Sequence, residues 1–363
     1  MTPQEPKTPP TTAVPYHVMR GGTSKALVFR KESLPTDAAE RDRLLLTIMG
    51  LPELEEKAGM GKDPLSSKIA IINPSRSDET DVDYFFAQAD LGNRRIDTSV
   101  SCGNIQSAVG PYAVQTGLVR PTSPETTVRV LSVNTGVVSH LIVQTPDGRV
   151  KWDGDVAIDG VPGTAAPVLI NFLHPEGSTT GKLLPTGRPS DRVCDVNVSC
   201  VDAAMPLVIV AAGQLGKTGY ESPAELDLDG AMMARLEEIR RAAGMVMGLG
   251  DVSKLVMPKF VLAAPPRAGG TITSRYFTPA TAHTSHAVTG ALCLAVACLI
   301  EGTVAHRIAR PEPGLHRRIG IEHPAGRLDA EIELCMVDGN VTVPKAAFVR
   351  TAAMLCEGMY RGH

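Results

Sequence analysis

Aromatic residues and long apolar segments are scarce in this sequence. Phe, Trp and Tyr together make up 4% of the 363 residues. The longest apolar segment, residues 291–300, is shorter than the roughly 20 residues that a membrane-spanning helix needs. Residues 1–15 are rich in proline and threonine and lack the apolar core of a secretory signal. We therefore expect a disordered leader over residues 1–15 and no association with a membrane.

Charge, cysteine and histidine patterns exclude further classes of protein. The formal net charge of −3 lacks the basic excess that nucleic-acid binding requires. The seven cysteines form no CxxC pair, which predicts reduced thiols, a cytoplasmic protein and no structural zinc. His283 and His286 are three residues apart without a nearby third ligand, so they predict capping or packing. The glycine-rich segment 21–25 lacks the spacing of a phosphate-binding loop.

The abundant glycine and proline, 34 and 28 residues, favour many short strands joined by turns. Alternation and β-branched residues predict strands over 16–19, 26–29, 68–72, 81–88, 127–133, 137–144 and 149–153. Helical spacing over 33–49 predicts a helix capped by Ser33 or Thr36. Residues 161–190 are rich in loop-forming types, which suggests a domain boundary near residue 187.

The second half of the chain repeats the order of the first. A strand, a turn over 202–206, a strand over 207–210 and a helix over 226–243 precede a strand that begins at Lys259, as another begins at Lys68. A helix then begins near Thr289, as one begins near Cys102. We therefore predict an α+β fold of two similar domains, 16–187 and 188–363, with the last segment packing back on the first domain. Their two helix N-termini would meet at one anion-binding cleft.

Cys102 begins the first of these helices, within Ser101-Cys102-Gly103-Asn104. A cysteine at a helix N-terminus meets free backbone N–H groups and the positive end of the helix dipole, and both favour the thiolate. Gly103 leaves room for a ligand beside the main chain. The alternative is a buried structural cysteine.

Lys68 and two arginines are the candidate cations. Burial of Lys68 near the cleft would lower its pKa and make it a general base, whereas the alternative is a solvated lysine at the end of a strand. Arg20 and Arg275 could bind carboxylates through two parallel hydrogen bonds. Single arginines are also common surface residues.

Several segments together resemble the PrpF-type methylaconitate isomerase family, and within it the 4-oxalomesaconate tautomerases. The segments are 19–25 (MRGGTSK), 67–72 (SKIAII), 81–84 (DVDY), 102–104 (CGN) and 289–291 (TGA). The similarity runs from about residue 16 to the C-terminus. It implies a diaminopimelate-epimerase-like fold, two pseudo-symmetric domains each with a central helix wrapped by β-sheet, and neither cofactor nor metal.

The resemblance also implies that Lys68 and Cys102 are the catalytic pair. Epimerases with this fold carry a second cysteine in the other domain. Our alignment of the two halves places Thr289 at that position, which disfavours a two-thiol racemisation. Lys68 would remove a methylene proton, and Cys102 would either donate a proton at the far end of the allyl system or orient the intermediate. Backbone N–H groups of Gly103, Asn104, Gly290 and Ala291 would stabilise the intermediate. The other residues expected around the substrate carboxylates are Arg20, Thr23, Ser24, Ser67, Arg275, Thr278 and Thr289.

The expected function is 1,3-allylic isomerisation of 4-oxalomesaconate in bacterial breakdown of aromatic acids derived from lignin. The expected partner is this small tricarboxylate, and at most a second copy of the chain in a homodimer. Isomerisation of 2-methylaconitate or methylitaconate, an amino-acid racemase and a non-catalytic acid-binding protein are the alternatives. Many relatives have His-Arg-Ala where this chain has His283-Thr284-Ser285, which leaves that part of the site open.

Overall fold

The computed structural model describes residues 13–61, 63–99, 101–279, 281–311, 317–337 and 340–362. The elements of the first half are β1 Ala13–Gly21, β2 Ser24–Arg30, α1 Ala38–Met49, α2 Pro52–Ala58, β3 Lys68–Pro74, β4 Val82–Asp90, β5 Arg95–Asp97, α3 Gly103–Gln115, β6 Glu125–Ser132, β7 Val138–Gln144 and β8 Pro167–Leu173. Those of the second half are β9 Asp191–Val193, β10 Val196–Asp202, β11 Pro206–Ala211, α4 Pro223–Leu228, α5 Gly230–Val246, β12 Lys259–Ala264, β13 Ile272–Thr278, β14 Thr281–Ala282, α6 Val288–Leu299, α7 Val304–Ile308, β15 Arg317–His323, β16 Gly326–Val337 and β17 Asn340–Arg361.

The two halves share one strand pattern, which confirms the internal repeat. In the first half β3 runs parallel to β2 and antiparallel to β4, so that Lys68 lies opposite Ala26 and Gln88. In the second half β12 runs parallel to β11 and antiparallel to β13. Lys259 lies opposite Leu207 there, in the position that Lys68 takes in the first half.

A buried helix lies at the centre of each half. Nearly all residues of α3 and α6 are small or apolar, and a helix without a polar face must be covered on all sides. The two helices approach each other at their N-termini. A Cβ atom on Gly103 would lie 2.9 Å from the Cβ of Val288, so only glycine permits this approach. Both helix N-termini therefore reach the same boundary between the halves.

Strand β17 connects the two halves. It pairs with β16 of the second half and with both β1 and β8 of the first half. Its last residues lie beside the beginning of β1, where Ala13 is opposite Arg361. The domain limits 16–187 and 188–363 stay predictions.

Some predicted elements differ from the structure. Helix α1 begins after Asp37, and the Asp37 carboxylate accepts the Glu40 N–H. The helix does not extend back to residue 33, because Pro35 disfavours helical backbone at the residue before it. The predicted helix 226–243 is two helices that meet at Asp229. Residues 149–153 form no strand, whereas β8 lies inside the predicted loop 161–190. β1 begins inside the predicted leader, and residues 1–12 lie outside the described residues.

Among the described helices, none combines the length and the apolar character needed to cross a bilayer.

Candidate active site

A cavity of about 560 Å³ opens at the N-termini of α3 and α6, and side chains from both halves line it. Its polar lining residues include Ser67, Lys68, Gln88, Asp97, Cys102, Lys259, Tyr276, Thr278, His283 and Thr289. Five predicted site residues therefore meet here, namely Lys68, Cys102, Ser67, Thr278 and Thr289.

Lys68 is held at the first position of β3. Its Nζ donates a hydrogen bond of 3.3 Å to Gln88 Oε1 and lies 5.6 Å from the ring centre of Phe86. Gln88 is fixed in turn, because its Nε2 donates to the Ser67 carbonyl. The Lys68 amine is thus placed at the cavity wall by a neutral amide and an aromatic face, and no carboxylate of the described residues forms an ion pair with it.

Cys102 is the N-cap residue of α3. Its carbonyl accepts the Gln106 N–H at 2.9 Å and the Tyr84 hydroxyl at 3.1 Å, which fixes the backbone on which the thiol is carried. Because the helical hydrogen-bond ladder starts at Gln106, the N–H groups of Gly103 and Asn104 precede it. The Cys102 thiol and the N–H groups of Gly103 and Asn104 therefore lie together at the N-terminus of α3.

The position of the first helical hydrogen bond in α6 corrects two predictions. The first ladder bond runs from the Ala291 N–H to the Ala287 carbonyl, so Ala287, not Thr289, is the counterpart of Cys102. The Ala291 N–H is used within the helix, and the donors that precede it belong to Val288, Thr289 and Gly290. Tyr276 packs against Gly290, where a side chain would collide with its ring. The conclusion that this position carries no thiol still holds.

Lys259 is a cleft residue that our sequence analysis left out of the site. It is buried, and none of the described residues forms a hydrogen bond or ion pair with its amine. Burial, together with the charge of nearby Lys68, lowers the pKa of Lys259 to about 7, and the charge of Asp97 opposes both effects. The repeat had already aligned Lys259 with Lys68, and this alignment was the signal that could have identified it.

Three more polar side chains line the cavity, those of Tyr276, Asp97 and His283. The Tyr276 hydroxyl and Asp97 Oδ2 are buried, and neither has a hydrogen-bond partner among the residues that the structure describes. Burial raises the pKa of Tyr276 well above its ordinary value, so its proton is retained as a donor. His283 Nδ1 accepts the Ser285 N–H, which places the proton of the neutral ring on Nε2. Burial lowers the pKa of His283 well below its ordinary value.

The β1–β2 turn lies against the start of α3. Asn104 Nδ2 donates to Thr23 Oγ1 at 3.2 Å, and Gly22 contacts the Asn104 side chain so closely that a Cβ would collide with it. Ser24 is buried, and its hydroxyl has no partner among the described residues. Thr23 and Ser24 therefore lie beside the α3 N-terminus rather than in the lining of the cavity.

Neither predicted arginine lines this cavity. Arg20 Nη1 donates to the carbonyls of Gly22 and Thr351 and to the Thr351 hydroxyl, which ties the turn to β17. Arg275 donates to the carbonyls of Glu221 and Ser274 and faces a different cavity. Successive strand residues point to opposite faces, so Arg275 points away from the face to which Tyr276 contributes. The predicted arginine contacts to substrate in the cleft are therefore not formed by this arrangement.

The description "PrpF protein" belongs to a family model that matches residues 11–363. The chain belongs to the PrpF family. A 4-oxalomesaconate tautomerase from Pseudomonas putida is 44% identical over 349 residues, with 96% of each chain covered. The protein YbhH of Escherichia coli strain K12, whose name gives an isomerase without a substrate, is 47% identical over 95% of this chain and 98% of its own.

Solved structures agree with this assignment. A crystal structure of methylitaconate-delta-isomerase is 34% identical, covers 96% of this chain and 95% of its own, and has a TM-score of 0.78. Solved epimerase and racemase structures share the fold, which confirms the predicted diaminopimelate-epimerase-like architecture. This PrpF-family chain is an isomerase.

The arrangement suits proton transfer on a substrate with several negative charges. Amines from both halves, one thiol and the N-termini of two helices surround a single cavity. Among the described residues, no group of three or more His, Cys, Asp and Glu side chains is arranged to hold a metal ion. The groups present are acids, bases and hydrogen-bond donors, which can remove a proton, return it and stabilise the anion formed between these steps.

Proposed function

We propose that this isomerase catalyses 1,3-allylic proton transfer in 4-oxalomesaconate, in bacterial breakdown of lignin-derived aromatic acids such as protocatechuate or gallate. The observation that carries the proposal is the meeting of Lys68, Cys102 and Lys259 in one cavity at two helix N-termini. The 44% identity to a protein named 4-oxalomesaconate tautomerase supports the choice of substrate. A tricarboxylate fits an enclosure with two amines and two positive helix ends.

In the first step the Lys68 amine removes a proton from the methylene group beside the keto group. The electron pair of the broken C–H bond moves into the substrate and gives a dienolate, whose charge is shared by the keto and carboxylate oxygens. The N–H groups of Gly103 and Asn104 and the Tyr276 hydroxyl are fixed before the reaction and donate to these oxygens. No rearrangement of the protein is then needed as the charge develops.

In the second step the Cys102 thiol donates a proton to the far carbon of the allyl system. The double bond shifts by one position, and the site is left with protonated Lys68 and a Cys102 thiolate. Transfer of the proton from Lys68 to Cys102 restores the starting state. Lys259 binds a substrate carboxylate as an ammonium ion, because an entering anion offsets the burial that disfavours its charge.

Proton NMR in D₂O tests this function on the purified protein with 4-oxalomesaconate as substrate. We expect migration of the double bond with deuterium incorporated into the allyl system. The Lys68→Met variant should lose at least about 100-fold in kcat, the usual contribution of a general base. Cys102→Ala should retain exchange at the methylene carbon but lose deuterium incorporation at the far carbon.

The same experiment with cis-2-methylaconitate and methylitaconate tests the alternative within the family. The 34% identical methylitaconate-delta-isomerase structure favours it as the second candidate. Turnover of one of these acids without turnover of 4-oxalomesaconate would reassign the substrate and retain the site. Turnover of none of the three, or full activity of Lys68→Met, would refute the proposal. A two-thiol amino-acid racemase is disfavoured because Ala287 occupies the position equivalent to Cys102.

A further inference from the structure

Arg350, on β17, is a buried cation that forms no ion pair with any residue that the structure describes. It is 6% exposed, and its Nε has no hydrogen-bond partner in the described part of the chain. Among the described residues its hydrogen bond runs from Nη1 to the carbonyl of the preceding residue, Val349, at 3.2 Å. Burial lowers the pKa of Arg350 to about 10, and the charge of Asp159 opposes this effect. A buried charge without a close partner is strongly unfavourable, so the arrangement calls for an anion that the chain itself does not supply.

Arg350 lines a second cavity of about 900 Å³, which has no lining residue in common with the catalytic cleft. Arg275 and His323, both buried, line the same cavity. His323 Nδ1 accepts the Ala325 N–H at 3.2 Å, so the neutral ring carries its proton on Nε2 as a donor. Three donors from β13, β15 and β17 are thus brought to one enclosure.

Three of the four carboxylates that line this cavity have partners, and the fourth, Glu331, is exposed. Glu322 accepts from the backbone N–H groups of Arg267, Ala268 and Gly270 and from the Thr273 hydroxyl. Asp329 pairs with Arg318 and Arg327. Asp159 accepts the backbone N–H of Arg327, and Glu331 is exposed. None of these carboxylates forms a hydrogen bond or ion pair with Arg350 among the described residues.

We infer that this cavity is a second binding site, which takes a small molecule through a carboxylate or phosphate group placed on the guanidinium of Arg350. Arginine binds both groups through two parallel N–H donors, and Nε is the donor left unused here. Arg275 and His323 contact the same anion from the other strands. The site lies apart from Lys68 and Cys102, so it does not depend on the proposed reaction.

Binding of citrate and of inorganic phosphate by isothermal titration calorimetry tests the inference on the full chain. Arg350→Met should weaken one class of site about tenfold or more, because a charge-assisted pair of hydrogen bonds is lost. Lys259→Met, in the catalytic cleft, should leave that class intact. Citrate-only binding at the Arg350 site identifies a carboxylate ligand, and phosphate-only binding identifies a phosphate ligand.

Thermal unfolding in buffer without either anion separates a binding role from a structural one. Arg350→Met should unfold at the wild-type temperature or higher, because it removes an uncompensated buried charge. Arg240 is the matched control, since it is 1% exposed and bonded to Glu237 and to the carbonyls of Val252 and Met257. Arg240→Met should unfold at a lower temperature.

Three results would overturn the inference. The first is that wild-type protein binds neither anion. The second is that Arg350→Met binds both as wild type does. The third is that Arg350→Met loses thermal stability as Arg240→Met does, which would show that the guanidinium has a structural role.

Discussion

Two lysines at equivalent strand positions face one cavity in different surroundings. Lys68 is half-buried and bonded to the Gln88 amide, whereas Lys259 is buried and has no hydrogen-bond or ion-pair partner among the described residues. Desolvation disfavours the charged amine, so a pKa of about 7 for Lys259 follows from its position in the packed second half. Its amine can therefore change charge when an anionic substrate enters.

Replacement of this amine by an apolar group should affect binding more than chemistry. Lys259→Met should raise KM for the tricarboxylate about tenfold, with a smaller loss in kcat, because an ion pair to a substrate carboxylate is removed. Steady-state kinetics on Lys259→Met beside the exposed control Lys151→Met measure this. An unchanged KM would exclude a substrate contact.

The Lys259→Met variant should also differ from wild type in how its stability depends on pH. Between about pH 7 and 10.5 the unfolded chain binds a proton at Lys259 that the native chain does not, so the free energy of unfolding of wild type should rise with pH. Urea midpoints over this range should rise less steeply in Lys259→Met. Equal slopes would contradict the lowered pKa.

Sequence reasoning at the residue scale succeeded where a motif carries the information. Lys68 and Cys102 begin a strand and a helix that the pattern predicts, and both line the cleft. The prediction that Arg275 lies in the cleft failed, because a shift of one residue along a strand decides which cavity a side chain faces. Lys259 was missed because its lack of a partner depends on residues distant in sequence.

At the scale of elements, the site depends on how closely two helix ends approach each other. Gly103 contacts Val288 across the boundary between the halves, and Gly290 contacts Tyr276 within the second half. Each contact lies in the first turn of a helix, at the end where the N-cap residues Cys102 and Ala287 line the cavity. Strands such as β3 and β12 could be predicted from local apolar patterns, but this approach distance could not, since it joins residues of the two halves.

A methyl group at Gly103 should separate the helix ends. Gly103→Ala should destabilise the protein by about 1–3 kcal/mol, as overpacking does, and reduce kcat. Gly230→Ala is the matched control, because Gly230 also begins a helix and has no atom within 4 Å of an added Cβ. Urea unfolding and activity measure both effects.

Addition of Val288→Ala to Gly103→Ala should restore stability and activity only in part, because it removes the Val288 Cγ1 atom, 3.1 Å from the new methyl group, and keeps the Cβ atom, 2.9 Å from it. A Gly103→Ala protein as stable and active as Gly230→Ala would show that the helices tolerate a wider separation.

At the scale of the whole molecule, three histidines of the second half are buried, namely His283 in the lining of the cleft, His323 in the lining of the second cavity, and His286. Burial lowers the pKa of His286 to about 3 and of His323 to about 4, and that of His283 also lies well below its ordinary value. Below their ordinary pKa of 6.5 the unfolded chain therefore binds protons that the native chain excludes. Charged histidines are incompatible with these packed positions.

Stability should accordingly fall as the pH is lowered from about 6.5 to 5, above the range in which most carboxylates titrate. Urea midpoints measured across this interval test the expectation. A flat profile would show that the histidines accept protons without loss of structure.

The position of strand β17 late in the chain affects how the protein can fold during synthesis. Its residues leave the ribosome after β1 and β8, yet they pair with both of these strands of the first half. Until then the nascent chain carries two unpaired strand edges, the kind of surface that recruits other chains. The first half is therefore open to association with other chains until β17 has been synthesised.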